Sequence, residues 1–166
     1  MRAFLRLLVV VACSLTTLSA TASAAAPATV AVAQSPHSGA TDLAYVNHEL
    51  YEVPLTEFIA TVGKGDTWFD VSTDGCSAPL VGDTGRSFNF RNPCRRHDFG
   101  YRNLQLLEKR YGSGHTYWNA TSRHRVDDQF HADMRASCQP RPWYERYNCL
   151  AWADTFYKVV RLAGGP

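Results

Sequence analysis

The residues best suited to chemistry lie in one short string, from His97 to Asn103, which reads HDFGYRN and follows Cys94 closely. The imidazole of His97 can move a proton near neutral pH, and the carboxylate of Asp98 can hold a hard cation. Neighbouring residues on a helix point about 100° apart. One helical turn can therefore present a base on one side and a metal ligand on the other.

A helix is predicted to carry this string. Asn92 is a good N-cap and Pro93 suits the first helical position, so together they predict a helix start. The helix should run to about Tyr111, where Gly112 and the glycine that follows two residues later end it.

A second long helix is predicted to open at Thr121 or Ser122. Its apolar residues recur at helical spacing and predict one buried face, formed by Val126, Phe130, Met134 and Cys138.

An acidic pair on the second helix can face His97, because the short connection favours antiparallel neighbours. A buried carboxylate on one ring nitrogen fixes the tautomer and leaves the other nitrogen free to accept a proton from water. Spacing does not select between Asp127 and Asp128. Tyr101 lies one turn after His97 and can approach the same point. Taken alone, the pair is also compatible with an ordinary structural hydrogen bond.

The start of the chain predicts export. Arg2 and Arg6 precede an apolar segment at 7–18, and small residues at 19–26 fit signal cleavage, so we predict a signal peptide at 1–26. Residues 27–40 read as a flexible leader or pro-segment and 41–166 as one domain. No later apolar run reaches the roughly 20 residues of a membrane-spanning helix.

The charge balance argues against nucleic acid as a partner. The chain has 17 basic and 15 acidic residues, and loss of Arg2 and Arg6 with the signal peptide makes the two equal. A neutral chain without a basic cluster beyond Arg95-Arg96 has no bulk attraction for nucleic acid.

Four cysteines remain after cleavage, which in an exported domain predicts two disulfides. Three pairings are possible, and the nearest-neighbour choice is Cys76–Cys94 with Cys138–Cys149. A zinc site is disfavoured because the chain has no C-x-x-C pair.

Two stretches of sequence can supply oxygen ligands to a metal. Asp98 is one candidate, and Asp74 with Gly75 is the other, because a Cys76–Cys94 disulfide binds that loop to the helix start. Calcium accepts carboxylate and carbonyl oxygens in flexible geometry, and Gly75 leaves its carbonyl accessible. An ordinary Asp-Gly turn is the alternative interpretation.

Helices are predicted before and after this pair. Asp42 is expected to cap a first helix that Pro54 interrupts, and a short helix follows from Thr56 to about Val62. Residues 68–91 are predicted to be a loop, and their sequence is also compatible with a small hairpin. A last helix begins near Trp143, and its predicted buried residues are Trp152, Phe156, Val159 and Val160.

The string from Cys94 to Tyr101 resembles the C-x-x-H-D-x-x-Y signature of secreted phospholipases A2. Together with Asp74-Gly75-Cys76 upstream and Arg125-Val126-Asp127 downstream, it is similar to the small bacterial and fungal branch. The resemblance implies an all-α fold with two disulfides, two long antiparallel helices carrying a His-Asp dyad, flanking helices and a calcium-binding loop.

The resemblance also implies an activity and a set of roles. His97 is expected to be the general base, Asp127 to orient it and Tyr101 to hold Asp127. Asp74, the Gly75 carbonyl and Asp98 are expected to bind Ca²⁺. The implied reaction is hydrolysis of the sn-2 ester of glycerophospholipids to lysophospholipid and free fatty acid, at a phospholipid membrane or micelle surface, by a secreted monomer.

Two other functions are compatible with the same residues. One is a calcium-dependent lipid- or receptor-binding module without useful turnover, and the other is a secreted metal-dependent nuclease, which the neutral charge disfavours. Trp143, Tyr144 and Tyr147 are compatible with an aromatic patch at a lipid interface, or with packing beneath the second disulfide.

Overall fold

The structure, a computed structural model, describes residues 37–64, 67–76 and 88–163. The predicted signal peptide, most of the predicted leader and residues 77–87 of the segment expected to hold a hairpin lie outside these residues. The described part is all-α and contains no strand, as predicted. Its helices in chain order are α1 (Gly39–Tyr51), α2 (Leu55–Thr61), α3 (Arg91–Tyr111), α4 (Ala120–Cys138) and α5 (Trp143–Ala163).

None of the described helices is long and apolar enough to cross a membrane.

The cap of α1 is Ser38, so the prediction that Asp42 caps this helix was wrong. The Ser38 side chain accepts a hydrogen bond from the Thr41 backbone N–H, and the Thr41 hydroxyl accepts one from the Ser38 backbone N–H. Asp42 lies inside the first turn, buried, and accepts hydrogen bonds from Trp68 Nε1 at 2.7 Å and Tyr111 Oη at 3.0 Å. It therefore ties α1 to the loop that follows α2 and to the end of α3.

The short helix α2 follows Pro54 as predicted and ends close to Gly63, which has a φ of +82°. Residues 67–76 then run as irregular chain along α3.

The start of α3 differs from the prediction by two residues. Phe90 is the cap and Arg91 the first helical residue, so Asn92 and Pro93 lie inside the first turn and Asn92 is not the cap. Pro93 is tolerated there because the first backbone N–H groups of a helix have no partner within it.

The cap of α4 is Asn119 rather than Thr121 or Ser122. Its side chain accepts hydrogen bonds from the backbone N–H groups of Thr121 and Ser122, and the Ser122 hydroxyl closes the capping box. The predicted apolar face is confirmed, because Val126, Phe130, Met134 and Cys138 are all buried.

The connection between α3 and α4 is organised by one carboxylate. Glu108 accepts hydrogen bonds from the backbone N–H groups of Gly114 at 3.0 Å, Tyr117 at 2.6 Å and Trp118 at 3.1 Å. These bonds fold the connecting chain back against the end of α3.

Helices α3 and α4 are antiparallel. Arg96 near the start of α3 pairs with Asp133 near the end of α4 at 2.5 Å, whereas Tyr101, one turn further along α3, contacts Asp127. Helix α5 returns along α4, so that His131 meets Asp154 at 2.7 Å.

Both disulfides have the predicted pairing, Cys76–Cys94 and Cys138–Cys149.

Helix α5 begins at Trp143 as predicted, but its buried face is only partly as expected. Phe156 is buried, with Cys149 and Ala153 on the same side. Trp152, Val159 and Val160 are only half-buried. The two valines line an open pocket, which accounts for their partial exposure.

Gly100 allows α1, α3 and α4 to approach closely. A Cβ atom at this position would lie 2.8 Å from Val126 Cγ1 and 2.9 Å from Leu50 Cδ2, both in fully buried side chains. Glycine in a helix interior costs about 1 kcal/mol relative to alanine, so the close approach explains a residue that helix propensity disfavours.

We predict that Gly100→Ala lowers the free energy of unfolding by about 1–2 kcal/mol, because overpacking outweighs the gain in helix propensity. Urea unfolding followed by circular dichroism measures this. Lys109→Ala, at an exposed position of the same helix, is the control and should change stability little. A Gly100→Ala protein more stable than the parent would contradict this packing.

Candidate functional site

His97 and Asp127 meet across the α3–α4 interface. His97 Nε2 lies 2.9 Å from Asp127 Oδ1, and the His97 side chain is 11% exposed. The imidazole packs between the rings of Tyr101 and Phe130, at centroid distances of 4.2 and 4.7 Å. No hydrogen bond to Nδ1 occurs within residues 37–64, 67–76 and 88–163. A carboxylate on Nε2 favours the tautomer with its proton there, which leaves the Nδ1 lone pair available.

Asp127 is fully buried, and its carboxylate is hydrogen-bonded on both oxygens. Oδ1 accepts from His97 and, at 2.6 Å, from the Tyr101 hydroxyl, while Oδ2 accepts from Arg161 Nη1 at 2.8 Å. Burial by itself would raise the pKa of Asp127, but the hydrogen bonds from these three side chains outweigh it and hold the pKa below its ordinary value. Asp127 is therefore an anion in the folded protein at neutral pH.

Arg161 reaches Asp127 from the last turn of α5. Arg123, on α4, donates a hydrogen bond from Nη2 to the Arg161 carbonyl at 3.3 Å, and its Nε lies 4.0 Å from Asp127 Oδ2. Two guanidinium groups thus stand beside the buried carboxylate, and one of them also fixes the end of α5.

Asp128 points away from His97. Its side chain is half exposed. It accepts a hydrogen bond from Tyr157 Oη at 2.7 Å, and it pairs with His124 at 2.8 Å. The helix phase therefore places Asp127, not its neighbour, at the imidazole.

A pocket of about 360 Å³ opens in front of His97. One end is polar, with Asp74, Gly75, Asp98 and Arg102, and the other is apolar, with side chains from α4 and α5. The apolar lining comprises Phe130, Phe156, Val159, Val160 and Ala163. Every site residue predicted from the sequence except Asp127 lines this pocket, and Asp127 lies directly behind His97.

The loop at 67–76 is attached to α3 at two levels. The Cys76–Cys94 disulfide holds it at the start of the helix. Nine residues further along the helix, Asn103 accepts a hydrogen bond from the Asp70 backbone N–H at 2.8 Å and donates one to the Asp70 carbonyl at 2.7 Å. The loop residues between these attachments are thereby kept beside Asp98.

Asp74 and Asp98 form an acidic pair at the polar end of the pocket. Burial is the main cause that raises the pKa of Asp98, the negative charge of Asp74 adds to it, and a hydrogen bond from the Thr73 hydroxyl opposes it. Arg102 Nη2 lies 3.5 Å from Asp74 Oδ2.

Gly75 has a φ of +73°, a backbone conformation that favours glycine, and no neighbouring atom lies within 4 Å of where its Cβ would be. Side chains alone do not form a metal cage here. Within the part of the chain that the structure describes, no three His, Cys, Asp or Glu side chains group around one point.

Comparison with known protein families identifies the family to which this chain belongs. The family of prokaryotic phospholipases A2 matches residues 46–164, which include both members of the His-Asp pair and the whole pocket. The chain belongs to the prokaryotic phospholipase A2 family.

Two fungal relatives of this phospholipase A2 are named secretory phospholipase A2. The one from Beauveria bassiana (strain ARSEF 2860) is 33% identical over 142 residues, which are 85% of this chain and 66% of the relative. The one from Arthroderma benhamiae (strain ATCC MYA-4681 / CBS 112371) is 34% identical over 98 residues, 57% of this chain and 60% of the relative. The chain thus spans less than two thirds of the length of either relative.

The family resemblance read from the sequence is therefore confirmed, but three site residues were missed. Arg161 gave no local signal, because its approach to Asp127 depends on how α5 lies against α4. Thr73 was hidden in an irregular loop. Asn103 did carry a signal, since it closes the HDFGYRN string and a fully buried amide must find hydrogen-bond partners.

We predict that the Asp127 carboxylate makes stability depend on acid pH. Its folded pKa lies below the unfolded value of about 3.9, so its contribution is complete above that pH and is lost as pH falls through the folded pKa. Asp127→Asn, which cannot titrate, should lose less stability than the parent between about pH 5 and pH 2. Urea unfolding at a series of pH values measures both slopes, and parallel curves would contradict the assignment.

Proposed function

We propose that this protein is a secreted, calcium-dependent phospholipase A2 that hydrolyses the sn-2 ester of glycerophospholipids to a lysophospholipid and a free fatty acid. The observation that carries the proposal is the His97–Asp127 pair, set at the base of a pocket with one acidic and one apolar end. Family membership and the names of the fungal relatives support the same reaction class.

His97 is the proposed general base. Its Nδ1 faces no protein partner in the described residues, so it is free to take a proton from a water molecule in the pocket. The resulting hydroxide attacks the ester carbonyl carbon. When the tetrahedral intermediate collapses, the carbon–oxygen bond to glycerol breaks, and the imidazolium returns its proton to the leaving lysophospholipid oxygen.

Asp127 and Tyr101 are the groups proposed to prepare His97 for this cycle. The Asp127 carboxylate holds the tautomer before proton transfer and stabilises the imidazolium after it. The Tyr101 hydroxyl donates to the same carboxylate oxygen and keeps it aimed at Nε2. A water nucleophile requires no acyl-enzyme, which agrees with the absence of a G-x-S-x-G sequence.

Asp74, Asp98 and the Gly75 carbonyl are the proposed calcium ligands. Two carboxylates and an accessible backbone carbonyl form the hard-oxygen donor set that calcium prefers, and all three residues line the same pocket. Bound calcium would supply positive charge to the ester carbonyl oxygen and to the substrate phosphate.

The apolar end of the pocket is the proposed site for the sn-2 acyl chain. Phe130 and Phe156 contribute aromatic surface, and Val159, Val160 and Ala163 complete the wall. Burial of acyl methylenes against this wall is favourable by about 0.8 kcal/mol each.

The proposal predicts fatty-acid release from phosphatidylcholine vesicles in millimolar calcium and none in excess EGTA. His97→Asn should reduce release by at least about a thousandfold, because a general base and its oriented partner are lost together. Asp98→Asn should also weaken calcium binding, measured by isothermal titration calorimetry.

Product analysis on phospholipids labelled separately at sn-1 and sn-2 checks the position of cleavage. Equal activity in excess EGTA would refute the metal role, and full activity of His97→Asn would refute the mechanism. A protein that binds vesicles with calcium but releases no fatty acid would be a binding module rather than an enzyme.

Arg161 is proposed as a positioning residue that acts through Asp127. Arg161→Gln should lower kcat by about tenfold to a hundredfold, in the range found for partners one step behind a functional group, while KM changes little. Arg161→Lys keeps the charge and should recover most of kcat.

The control for this prediction is Lys109→Gln, which neutralises an exposed cation far along α3. If Arg161→Gln and Arg161→Lys lost the same amount of kcat, the positive charge of Arg161 would not be what Asp127 requires.

A further inference from the structure

The side of α5 that faces solvent is unusual in composition. Its most exposed residues carry a single formal charge, on Lys158, and the two acids of α5 are only partly exposed. We call this set the outer face of α5; it consists of Trp143, Tyr144, Tyr147, Asn148, Ala151, Thr155, Lys158, Leu162 and Ala163.

The large apolar side chains of this face are strongly exposed. The exposed fractions are 82% for Trp143, 60% for Tyr144, 79% for Tyr147 and 88% for Leu162. Burial in the protein therefore does not account for these residues, and packing beneath the second disulfide, the alternative weighed from the sequence, does not describe them.

The two acids of α5, Glu145 and Asp154, have side chains that are 44% and 46% exposed, but both are paired with cationic side chains. Glu145 accepts a hydrogen bond from Arg141 at 3.2 Å, and Asp154 pairs with His131 at 2.7 Å and Arg135 at 3.2 Å. An ordinary solvated helix mixes charges of both signs across its exposed side. The exposed side of α4 does so here, with His124, Arg125, Asp128 and Arg135.

The composition of the outer face suits a lipid surface. Tryptophan and tyrosine combine an apolar ring with a polar tip and favour the headgroup region of membranes. Lys158 on the face and Arg146 at its aromatic end provide positive charge, which complements anionic headgroups.

The outer face also adjoins the pocket. Its last residues, Leu162 and Ala163, belong to the same turns as Val159 and Val160, and Ala163 and both valines line the pocket in front of His97. A lipid surface in contact with Leu162 thus lies next to the apolar end of the pocket.

We propose that the outer face of α5 is the surface through which this protein docks on an anionic phospholipid membrane. The proposal rests on the proposed function and adds the part of the molecule that meets the lipid. Trp143, Tyr144 and Tyr147 enter the headgroup region at one end, Lys158 faces the lipid phosphates, and Leu162 inserts beside the pocket.

The test is vesicle co-sedimentation of the full secreted chain carrying His97→Asn, so that no turnover alters the lipid. Parent and variants are compared on phosphatidylglycerol vesicles and on phosphatidylcholine vesicles. Trp143→Ala with Tyr147→Ala should raise the lipid concentration for half-binding at least about tenfold. Lys158→Gln should weaken binding to phosphatidylglycerol more than to phosphatidylcholine.

Leu162→Trp should strengthen binding to both kinds of vesicle. Loss of the folded structure would not be expected to produce this increase. Lys109→Gln, an exposed cation outside the face, should leave binding unchanged, and thermal melts confirm that all variants are folded.

The proposal is overturned if the double variant binds as tightly as its parent, or if the parent does not bind phosphatidylglycerol vesicles. A separate assay tests the proposed function. It is refuted if the unsubstituted protein, in the presence of calcium, releases no fatty acid from monomeric dihexanoyl phosphatidylcholine.

Discussion

The burial of one carboxylate is the constraint on which the arrangement of the long helices depends. An ionised group removed from water is tolerated only where charges and hydrogen-bond donors surround it, and Asp127 is fully buried. Its partners come from α3 through His97 and Tyr101, and from α5 through Arg161. A shift of either helix would leave the anion uncompensated, so the stability of the fold and the orientation of the imidazole are set by the same contacts.

The polar end of the pocket is built differently, from an irregular segment that helices hold in place. The disulfide at Cys94 and the paired hydrogen bonds of Asn103 attach the loop to α3 on either side of Asp98. Side-chain oxygens that are distant in sequence are thereby brought together without a rigid cage. Such a site suits a cation that accepts flexible geometry.

The sequence predicted the features that depend on residues close together in the chain, and it did not predict those that depend on how distant segments pack. The helices, their buried face on α4, both disulfide pairs and the family follow from spacing, composition and a specific string. The caps were less accessible: Ser38 and Asn119 compete with other polar residues nearby, and only the backbone path decides which one accepts the first N–H groups. Arg161 was beyond reach because its partner lies 34 residues away on another helix.

Glu108 has a consequence for the order in which the chain assembles. Glu108 accepts hydrogen bonds from three backbone N–H groups in the connection after α3, and these contacts close a helical hairpin. Each contact joins residues that are only 6 to 10 positions apart in the chain. Short-range contacts require little loop-closure entropy, so this hairpin is favoured as an early structure on the folding pathway. The imidazole and its carboxylate, 30 residues apart within it, meet over a much shorter stretch of chain than Tyr111 and its partner Asp42 on α1, which are 69 residues apart.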